Sequence, residues 1–459
     1  MARARLSRAN DPAVALVRQL SGGNLRTVVD AVHRLGRTRV ASARRPLERL
    51  LASSDVRVRL AAASALGNLA DPASRRPLES ALGDGDRHVR AQAAYALSRL
   101  PDRRSGPKLR AILARDESAL VRNACAIALG RIADPSAIGA LERALKDESD
   151  RVRREAIIAL ERCRDPNLSV TARPFLKDPA RRVRIAAAVV LGLLRDADSV
   201  PALVECYGRA EPWEKPALLV ALGRIGTPEC GATLARSADD PARWVRVCVL
   251  HGLAEMHAPE ARGVSRAKLS DPAWAVRGAA ALALGRVGRA ADSKYVTPLL
   301  EDPSAWVQRA AIYALGQLDA FDQAARIRSY LRTRDPEVQL AAIWAVGHLR
   351  DHEALPELLQ LLDRADPKGS RGRSTLAEGD GAVRLVSDAD LRFFDACVQA
   401  VGTLVLARKD PRAVDALRSA RARLSDLELD QVARLPTPLG SGQGTVRRRQ
   451  LFVEILENR

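Results

Sequence analysis

The segment VRLAAASALGNL at residues 58–69 is one copy of a motif that recurs along most of the chain. Its apolar residues fall at i, i+4, i+7, i+8 and i+11, which is the 3.6-residue period of an amphipathic helix. From 27–38 to 338–349 successive copies start 31 or 32 residues apart, once a degenerate copy at 214–225 is counted, and the last copy starts 55 residues further on. The other copies lie at 27–38, 89–100, 121–132, 152–163, 183–194, 245–256, 276–287, 307–318, 338–349 and 393–404. A fixed period of this length predicts an array of about twelve structural repeats, each packed on its neighbours.

Each repeat is predicted to contain two helices. The stretch before the motif, such as DPASRRPLESAL (71–82), has apolar residues at helical spacing and a proline near its middle. A short turn with Asp-Pro or Asp-Gly follows and leads into the motif helix, as at Asp271-Pro272. Because aspartate is a favoured N-cap residue, we predict that the aspartate of this turn caps the second helix.

Composition limits the class of protein. The 459 residues include 74 Lys and Arg against 55 Asp and Glu, a net charge of +19, and 47% are apolar, which is enough for a core. The longest apolar run, residues 185–194, is too short to cross a bilayer, so no membrane insertion is expected. The N-terminus has no apolar stretch typical of a secretory signal, and the six cysteines form no CxxC pair. These features favour a cytoplasmic protein with reduced thiols.

The motif resembles a known family. The pattern D-P-x-x-x-V-R-x-x-A-A-x-A-L-G-x-L, exemplified at residues 271–287, resembles the short bacterial type of HEAT repeat that also occurs in phycobilisome lyases. The resemblance covers residues 25–362 and 391–407. It implies an all-α fold, a right-handed α-solenoid of about twelve two-helix repeats, with first helices outside and second helices lining the concave face. It implies no particular ligand, because such arrays bind many partners.

Two breaks in the period define the predicted domain organisation. The step from Gln339 to Phe394, its counterpart in the next copy, is 24 residues longer than one repeat, and a Pro- and Gly-rich stretch follows at 436–445. We therefore predict five segments. They are an N-terminal capping segment (1–24), the repeat array (25–362), a flexible inserted loop (363–390), the last repeat with a C-terminal cap (391–435), and a linker with a terminal helix (436–459).

Charged residues recur at fixed places in the motif. With the motif arginine as position 0, as in Arg59, an aspartate recurs six residues before it, as in Asp84 before Arg90. We predict that these residues pair between adjacent repeats; phosphate binding by the arginines would require breaking those pairs. A second set of arginines recurs at position +9, on the last turn of the second helix, where cations also complement the helix dipole. This basic strip includes Arg99, Arg131, Arg162, Arg224 and Arg286.

Apolar positions divide into two groups. Positions −1, +3, +6, +7 and +10 point in one direction and are predicted to form the core, whereas +1, +4, +5 and +8 point the other way, toward the predicted groove. Position +5 is largely apolar, as in Ile127, Val189 and Leu282. An apolar groove suits a protein segment better than a phosphate backbone. The alternative is that second helices pack on each other and hide these residues.

Aromatic residues are concentrated in the C-terminal half of the array. All five tryptophans lie between residues 213 and 344. Trp, Tyr and Arg dominate binding hot spots, so these residues are candidates for partner binding. The alternative is that a tryptophan after an Asp-Pro turn caps the core of its repeat. The candidate set is Trp213, Trp244, Trp274, Trp306, Tyr313 and Trp344.

Motifs of known chemistry are absent from the sequence. There is no GxGxxG, GxxxxGK[ST], GxSxG or HExxH, and the six histidines form no ligand cluster, so no catalytic residue, metal or cofactor is predicted. The sequence favours a non-catalytic adaptor or scaffold that binds a protein partner through its concave face and aromatic edge. One alternative is a nucleic-acid-binding solenoid that uses the arginine strip and Arg447–Arg449. A second alternative is a lyase-like or enzyme-associated subunit.

Overall fold

The computed structural model describes residues 16–20, 24–39, 41–100 and 102–364, and then 396–397, 399–401, 403–404 and 414–415. Every regular element in these residues is helical, and each motif copy from 27–38 to 338–349 forms a second helix. The all-α solenoid fold is thereby confirmed. The second helices are α1 (Leu25–Thr38), α3 (Val56–Leu69), α5 (Arg87–Leu97), α7 (Ala119–Ile132), α9 (Asp150–Arg162), α11 (Arg181–Leu194), α13 (Lys215–Ile225), α15 (Arg243–Met256), α17 (Trp274–Val287), α19 (Ala305–Gln317) and α21 (Pro336–His348).

The first helices are shorter, and many begin or end in a 3₁₀ turn. In α4, for example, a 3₁₀ turn at Pro72–Ser74 precedes the α-helix, and proline starts the turn because it has no N–H to leave unpaired. The first helices are α2 (Arg44–Leu50), α4 (Arg75–Ala81), α6 (Gly106–Arg115), α8 (Ile138–Ala144), α10 (Leu168–Ala172), α12 (Val200–Arg209), α14 (Pro228–Arg236), α16 (Ala261–Lys268), α18 (Ser293–Val296), α20 (Ala324–Ser329) and α22 (Leu355–Arg364).

The chain forms two compact units, Met1–Ile225 and Gly226–Arg459, and the repeat array runs through both. The first unit contains α1 to α13 and the second contains α14 to α22. Within each unit, consecutive second helices pack side by side, and each first helix packs against the second helix of its own repeat. A second helix inside a unit therefore has neighbours on three sides.

The predicted core positions are buried, but the predicted groove is only partly correct. Positions −1, +3, +6 and +7 are buried in the copies from 58–69 to 338–349, but Thr27 and Arg34 at positions −1 and +6 of the first copy are exposed. Position +10 is mixed, because Leu194 is 42% exposed. The assignment of position +4 to the groove is wrong, since Ala63, Ile157 and Ile312 are fully buried. Position +8 is likewise buried at Gly67. Neighbouring second helices cover these positions from both sides, which leaves only +1 and +5 largely half-buried.

Small residues allow the second helices to approach closely. A Cβ atom on Gly130 would lie 2.8 Å from Ala159 Cβ on the next second helix, and one on Gly67 would lie 2.9 Å from Ala96 Cβ. Such distances are shorter than side chains tolerate, so these positions require glycine. The motif glycines therefore allow the close contact between successive second helices.

In four of the five Asp-Pro turns that precede second helices in the described residues, the aspartate does not cap the helix, contrary to prediction. In the repeat that begins with Asp178-Pro179, the N-cap is Ala180, and its side chain makes no capping bond. Asp178 Oδ1 instead accepts a hydrogen bond from Ala180 N at 2.8 Å and closes the turn before the helix. True aspartate caps occur at Asp55, Asp86 and Asp335, which directly precede their helices. At Asp335 the prediction is confirmed, because Pro336 follows it directly as the first residue of α21.

Several predicted segments lie outside the described residues. The capping segment 1–24 is described only at residues 16–20 and 24, and the inserted loop 363–390 only at 363–364, which end α22. The last repeat at 391–435 is described at a few positions, where Cys397 and Ala400 are buried. The linker and terminal helix at 436–459, including Arg447–Arg449, fall entirely outside them.

Candidate partner-binding surfaces

The motif arginines form a ladder with the turn aspartates, as predicted. Arg122 Nε donates to Asp147 Oδ2 at 2.7 Å, and its Nη1 donates to the carbonyl oxygens of Asp116 and Glu117 at 2.9 and 3.0 Å. Each such arginine therefore ties the turn of its own repeat to the turn of the next. The same arrangement joins Arg59 to Asp84, Arg90 to Asp116, Arg153 to Asp178, Arg246 to Asp271 and Arg277 to Asp302.

The ladder arginines are held in ion pairs with aspartates of this chain, so they do not form a phosphate-binding surface. Burial opposes ionisation of Asp147, but hydrogen bonds from Arg122 and from the Ser149 backbone outweigh it and lower the pKa of Asp147. The Arg122 and Asp147 side chains are each only 11% exposed. Removing the arginine for another partner would leave a buried carboxylate unpaired, which is costly.

A second ladder, which the sequence analysis missed, joins the first helices. Arg75, the first residue of α4, donates to Glu79 on its own helix and lies 3.4 Å from Asp102 at the start of the next repeat. Arg44 joins Glu48 and Asp71 in the same way. Further along, Arg173 pairs with Asp196 and Arg328 with Asp351. The acidic residues could have been found from the spacing of 31 or 32 residues that separates Asp71, Asp102, Asp134, Asp165 and Asp196.

In the second unit, tryptophans line the N-terminal ends of neighbouring second helices. Trp244 on α15 and Trp274 on α17 are each 50% exposed. Trp306 on α19 is half-buried, and its ring meets that of Trp274 edge to face, with centroids 5.5 Å apart and an interplanar angle of 71°. Gly278 makes room for Trp306, because a Cβ there would lie 1.7 Å from a ring carbon. We call Trp244, Trp274 and Trp306 the aromatic edge.

Tyr313 and Trp344 belong more to the packing than to the surface. Tyr313 is only 8% exposed, and burial raises its pKa to about 12. Its ring lies 5.3 Å from that of the half-buried Trp344, which in turn stacks on His348 at 4.9 Å. The contact between Tyr313 and Trp344 runs between neighbouring repeats, whereas that between Trp344 and His348 lies within α21. Tyr313 therefore supports Trp344 rather than offering a contact surface of its own.

Trp213 lies in the first unit, and its surroundings differ from those of the aromatic edge. It is 45% exposed, and the guanidinium of Arg181 lies 4.1 Å from the centre of its ring. A cation over an aromatic face is attracted by the ring's negative quadrupole. This contact keeps one face of Trp213 covered and leaves the rest of the ring at the surface.

The arginines at position +9 are exposed, in contrast to the ladder. Arg99 donates to Asn68 Oδ1 at 2.5 Å. Within the described residues, Arg131, Arg162 and Arg224 have no ion-pair partner. The same holds for Arg286 in the second unit. These side chains are accessible cations, whereas those of the ladder are not.

The described residues offer little for catalysis or metal binding. No three His, Cys, Asp or Glu side chains among them come together as a metal-binding group. Burial raises the pKa of Cys163 to about 11 and that of Cys125 further, so neither thiol is ionised at neutral pH. None of the helices in this part of the chain is long and apolar enough to cross a membrane.

Comparison with known proteins identifies the class. The family model for HEAT repeats matches residues 13–98, 43–129, 106–172, 169–247, 232–315 and 293–377. These overlapping matches cover most of the sequence, and the chain belongs to the HEAT-repeat family. The resemblance that the repeated motif indicated is confirmed. No curated protein matches the sequence.

Solved structures with a similar fold include two importins. Yeast importin-β (Kap95p) superimposes with a TM-score of 0.65 at 12% identity, covering 98% of this chain and 73% of the importin. A structure of importin-β in ammonium sulfate gives a TM-score of 0.59 at 13% identity, covering 97% and 74%. The CpcE–CpcF complex of phycocyanin lyase from Nostoc sp. PCC7120 is similar over 53% of this chain and 94% of that one, at 21% identity with a TM-score of 0.35. At these identities the similarity shows the fold alone.

Proposed function

We propose that this chain is a non-catalytic, cytoplasmic scaffold that binds a protein partner through the aromatic edge of its second unit. The observation that carries the proposal is the exposure of Trp274 and Trp244, each half accessible on neighbouring helices. A half-exposed tryptophan leaves a large apolar surface in water, and such residues in clusters mark interaction sites. The HEAT-repeat solenoid fold, which this chain shares with importin-β, is compatible with this role.

The geometry supports a rigid contact surface. Trp306 lies in the space above Gly278, and Trp274 leans edge-on against it, so the two rings hold each other in place. A preordered aromatic side chain loses little conformational entropy when a partner covers it. Because positions +4 and +8 are buried, the second helices expose no wide apolar groove in the described residues. The aromatic edge is therefore the partner surface that remains.

Replacing the exposed tryptophans tests this function. We expect Trp244→Ala/Trp274→Ala to weaken partner binding at least about tenfold, because each ring contributes apolar contact area at a hot spot. The wild type and the variant would serve as baits in cells of the source organism, with nuclease treatment and a high-salt wash. Quantitative mass spectrometry would identify proteins that only the wild type retains, and their affinities would then be measured with purified components.

Phe321→Ala is the matched control. Phe321 is 61% exposed in the same unit but lies outside the aromatic edge, so its loss removes exposed aromatic surface without touching the proposed site. The control should retain the same proteins as the wild type. Identical retention by the tryptophan variant, or a melting temperature well below that of the control, would assign these tryptophans to the core and overturn the proposal.

The arginine strip favours a second candidate, nucleic-acid binding by the first unit. Arg131, Arg162 and Arg224 are exposed on second helices of one array and are not neutralised by neighbouring acids in the described residues. We expect Arg131→Glu/Arg162→Glu/Arg224→Glu to reduce the salt dependence of duplex DNA binding, by about 0.9 in log–log slope per lost phosphate contact. Fluorescence anisotropy with a labelled duplex at about 50 to 200 mM salt measures the slope of log affinity against log salt concentration.

A triple variant on the first-helix side serves as control for net charge. Arg76, Arg103 and Lys108 are also exposed cations of this unit, so their replacement by glutamate changes the total charge equally. The control should keep most of the binding. If the wild type binds no DNA or RNA at 50 mM salt, or if both triple variants lose equal affinity, the strip has no nucleic-acid role.

A further inference from the structure

In the repeat of α8, the first-helix ladder keeps its two acidic residues but lacks its arginine. Arg75 is the first residue of α4, and it bridges Glu79, four residues on, to Asp102 of the next repeat. The corresponding first residue of α8 is Ile138. The two acidic positions are nevertheless kept, as Glu142 and Asp165. In α6 and α10 the missing first arginine is replaced one turn later, by Arg110 and Arg173, but in α8 that place is held by Glu142 itself.

As a result, Asp165 is a buried carboxylate with an unused oxygen. Asp165 is only 6% exposed, and its Oδ1 accepts a hydrogen bond from Asn167 N at 2.9 Å. Oδ2 has no hydrogen-bond partner among the described residues. In the sister repeats that same oxygen faces the arginine, at 3.1 Å from Arg44 in the case of Asp71. A buried carboxylate oxygen without a hydrogen-bond partner is costly, so it is an attractive site for a cationic donor.

Asp165 also lines a surface cleft between the starts of two successive repeats. The cleft is lined as well by Ser169, Leu194, Arg195, Asp196 and Asp198. Leu194 is 42% exposed, and Val170, the residue after Ser169, is 65% exposed. Asp196 and Asp198 are paired with Arg173, so Asp165 is the carboxylate in the cleft that has an unused oxygen. This carboxylate, with exposed Leu194 and Val170 nearby in the chain, suits a ligand that carries a positive group next to apolar ones.

We propose that Glu142 and Asp165 bind the guanidinium of an arginine from a protein partner, and that aliphatic residues beside this arginine pack on Val170 and Leu194. A guanidinium matches this place because it can donate to two carboxylates at once, as Arg44 does between Glu48 and Asp71. A metal ion fits less well, since no three ligating side chains come together in the described residues. The site lies in the first unit and shares no residue with the aromatic edge, so it is independent of the function proposed above.

Two short peptides and the full-length protein test the site. The first peptide is acetyl-Leu-Ala-Arg-Ala-Leu-amide, and the second replaces arginine by citrulline, which has nearly the same shape but no charge. We expect the wild-type protein to bind the arginine peptide at least about tenfold more tightly, because only a charged donor compensates the buried carboxylate. Isothermal titration calorimetry measures both affinities.

An arginine introduced at position 138 of this chain should abolish the preference for the arginine peptide over the citrulline peptide. In Ile138→Arg the new side chain should bridge Glu142 and Asp165 as Arg75 bridges its own acids, raising the melting temperature by about 1–2 °C and excluding the peptide. Asp165→Asn should also lose the preference for the arginine peptide. It tests the site if Ile138→Arg does not fold. The control Glu117→Gln removes an acid that is 91% exposed elsewhere in the unit and should bind as the wild type does.

Equal affinity of the wild type for the two peptides would overturn the proposal. So would a preference for arginine that persists in both Ile138→Arg and Asp165→Asn. A preference that Glu117→Gln loses as well would show attraction by net charge alone, and would also contradict a specific site. Because Trp274 and Trp244 are intact in all these variants, none of these outcomes bears on the aromatic edge.

Discussion

Arg122→Ala is expected to lower the free energy of unfolding by about 3–5 kcal/mol, the cost of removing one partner of a buried ion pair. The substitution leaves Asp147, whose side chain is 11% exposed, without its guanidinium. It also removes the donor to the carbonyl oxygens of Asp116 and Glu117, at 2.9 and 3.0 Å. Urea unfolding followed by circular dichroism at pH 7 measures the change.

Arg131→Ala is the matched control, because Arg131 lies on the same helix, α7, but is exposed. Surface substitutions of this kind change stability by no more than about 0.5 kcal/mol. Equal effects of the two substitutions would mean that the ladder contributes nothing beyond ordinary surface charge. A loss in Arg131→Ala as large as that in Arg122→Ala would therefore contradict the structural role given to the pairs.

The penalty of Arg122→Ala should also depend on pH. The folded protein holds the pKa of Asp147 below its ordinary value, so the pair contributes its full stability above the unfolded pKa of about 3.9. That contribution is lost as the pH falls through the lowered pKa of the folded state. The difference between wild type and variant should thus be largest at pH 7 and shrink below about pH 4. A difference that stays constant down to pH 3 would show that lost packing, not charge, causes it.

The repeat period, the core and the Asp–Arg ladder could be predicted from the sequence, because each depends on residues that keep one register. Position 0 and the aspartate six residues before it recur at the same spacing, so their pairing follows once the repeats stack. The first-helix ladder has no such register. Its arginine stands at the first helical residue in Arg75 but one turn later in Arg173. Residues four apart share a helix face, so both reach the same carboxylate although their alignment positions differ.

The candidate site was predicted less well, for a different reason. The direction of a side chain around one helix does not give the number of neighbouring helices, so Ile157 at position +4 was assigned to a groove although it is fully buried. The tryptophans illustrate the same point. Trp274 and Trp306 stand at almost the same place in successive repeats, yet one is half exposed and the other packs over Gly278. That difference depends on the residue opposite, in a neighbouring repeat, and not on helical periodicity.

Gly130→Ala is expected to destabilise the protein by about 1–3 kcal/mol, the usual cost of overpacking a core. Within a helix the same change normally stabilises by about 0.5–1 kcal/mol, so the predicted sign is reversed. The reason is local: a Cβ on Gly130 would lie 2.8 Å from Ala159 Cβ and 2.9 Å from Ala159 Cα. The Cα belongs to the backbone of α9, which can move only if two stacked helices separate.

Gly208→Ala provides the control for helix propensity in the same unit. Gly208 lies in α12, and an added Cβ would meet no atom within 4 Å in the described structure. This variant should be as stable as the wild type or slightly more so, and thermal unfolding of the two variants side by side measures the contrast. If Gly130→Ala were also neutral or stabilising, the second helices would not be in the close contact that sets the repeat spacing. The glycine of each motif would then reflect helix termination, and the stacking of repeats would rest on the Asp–Arg ladder and the apolar core alone.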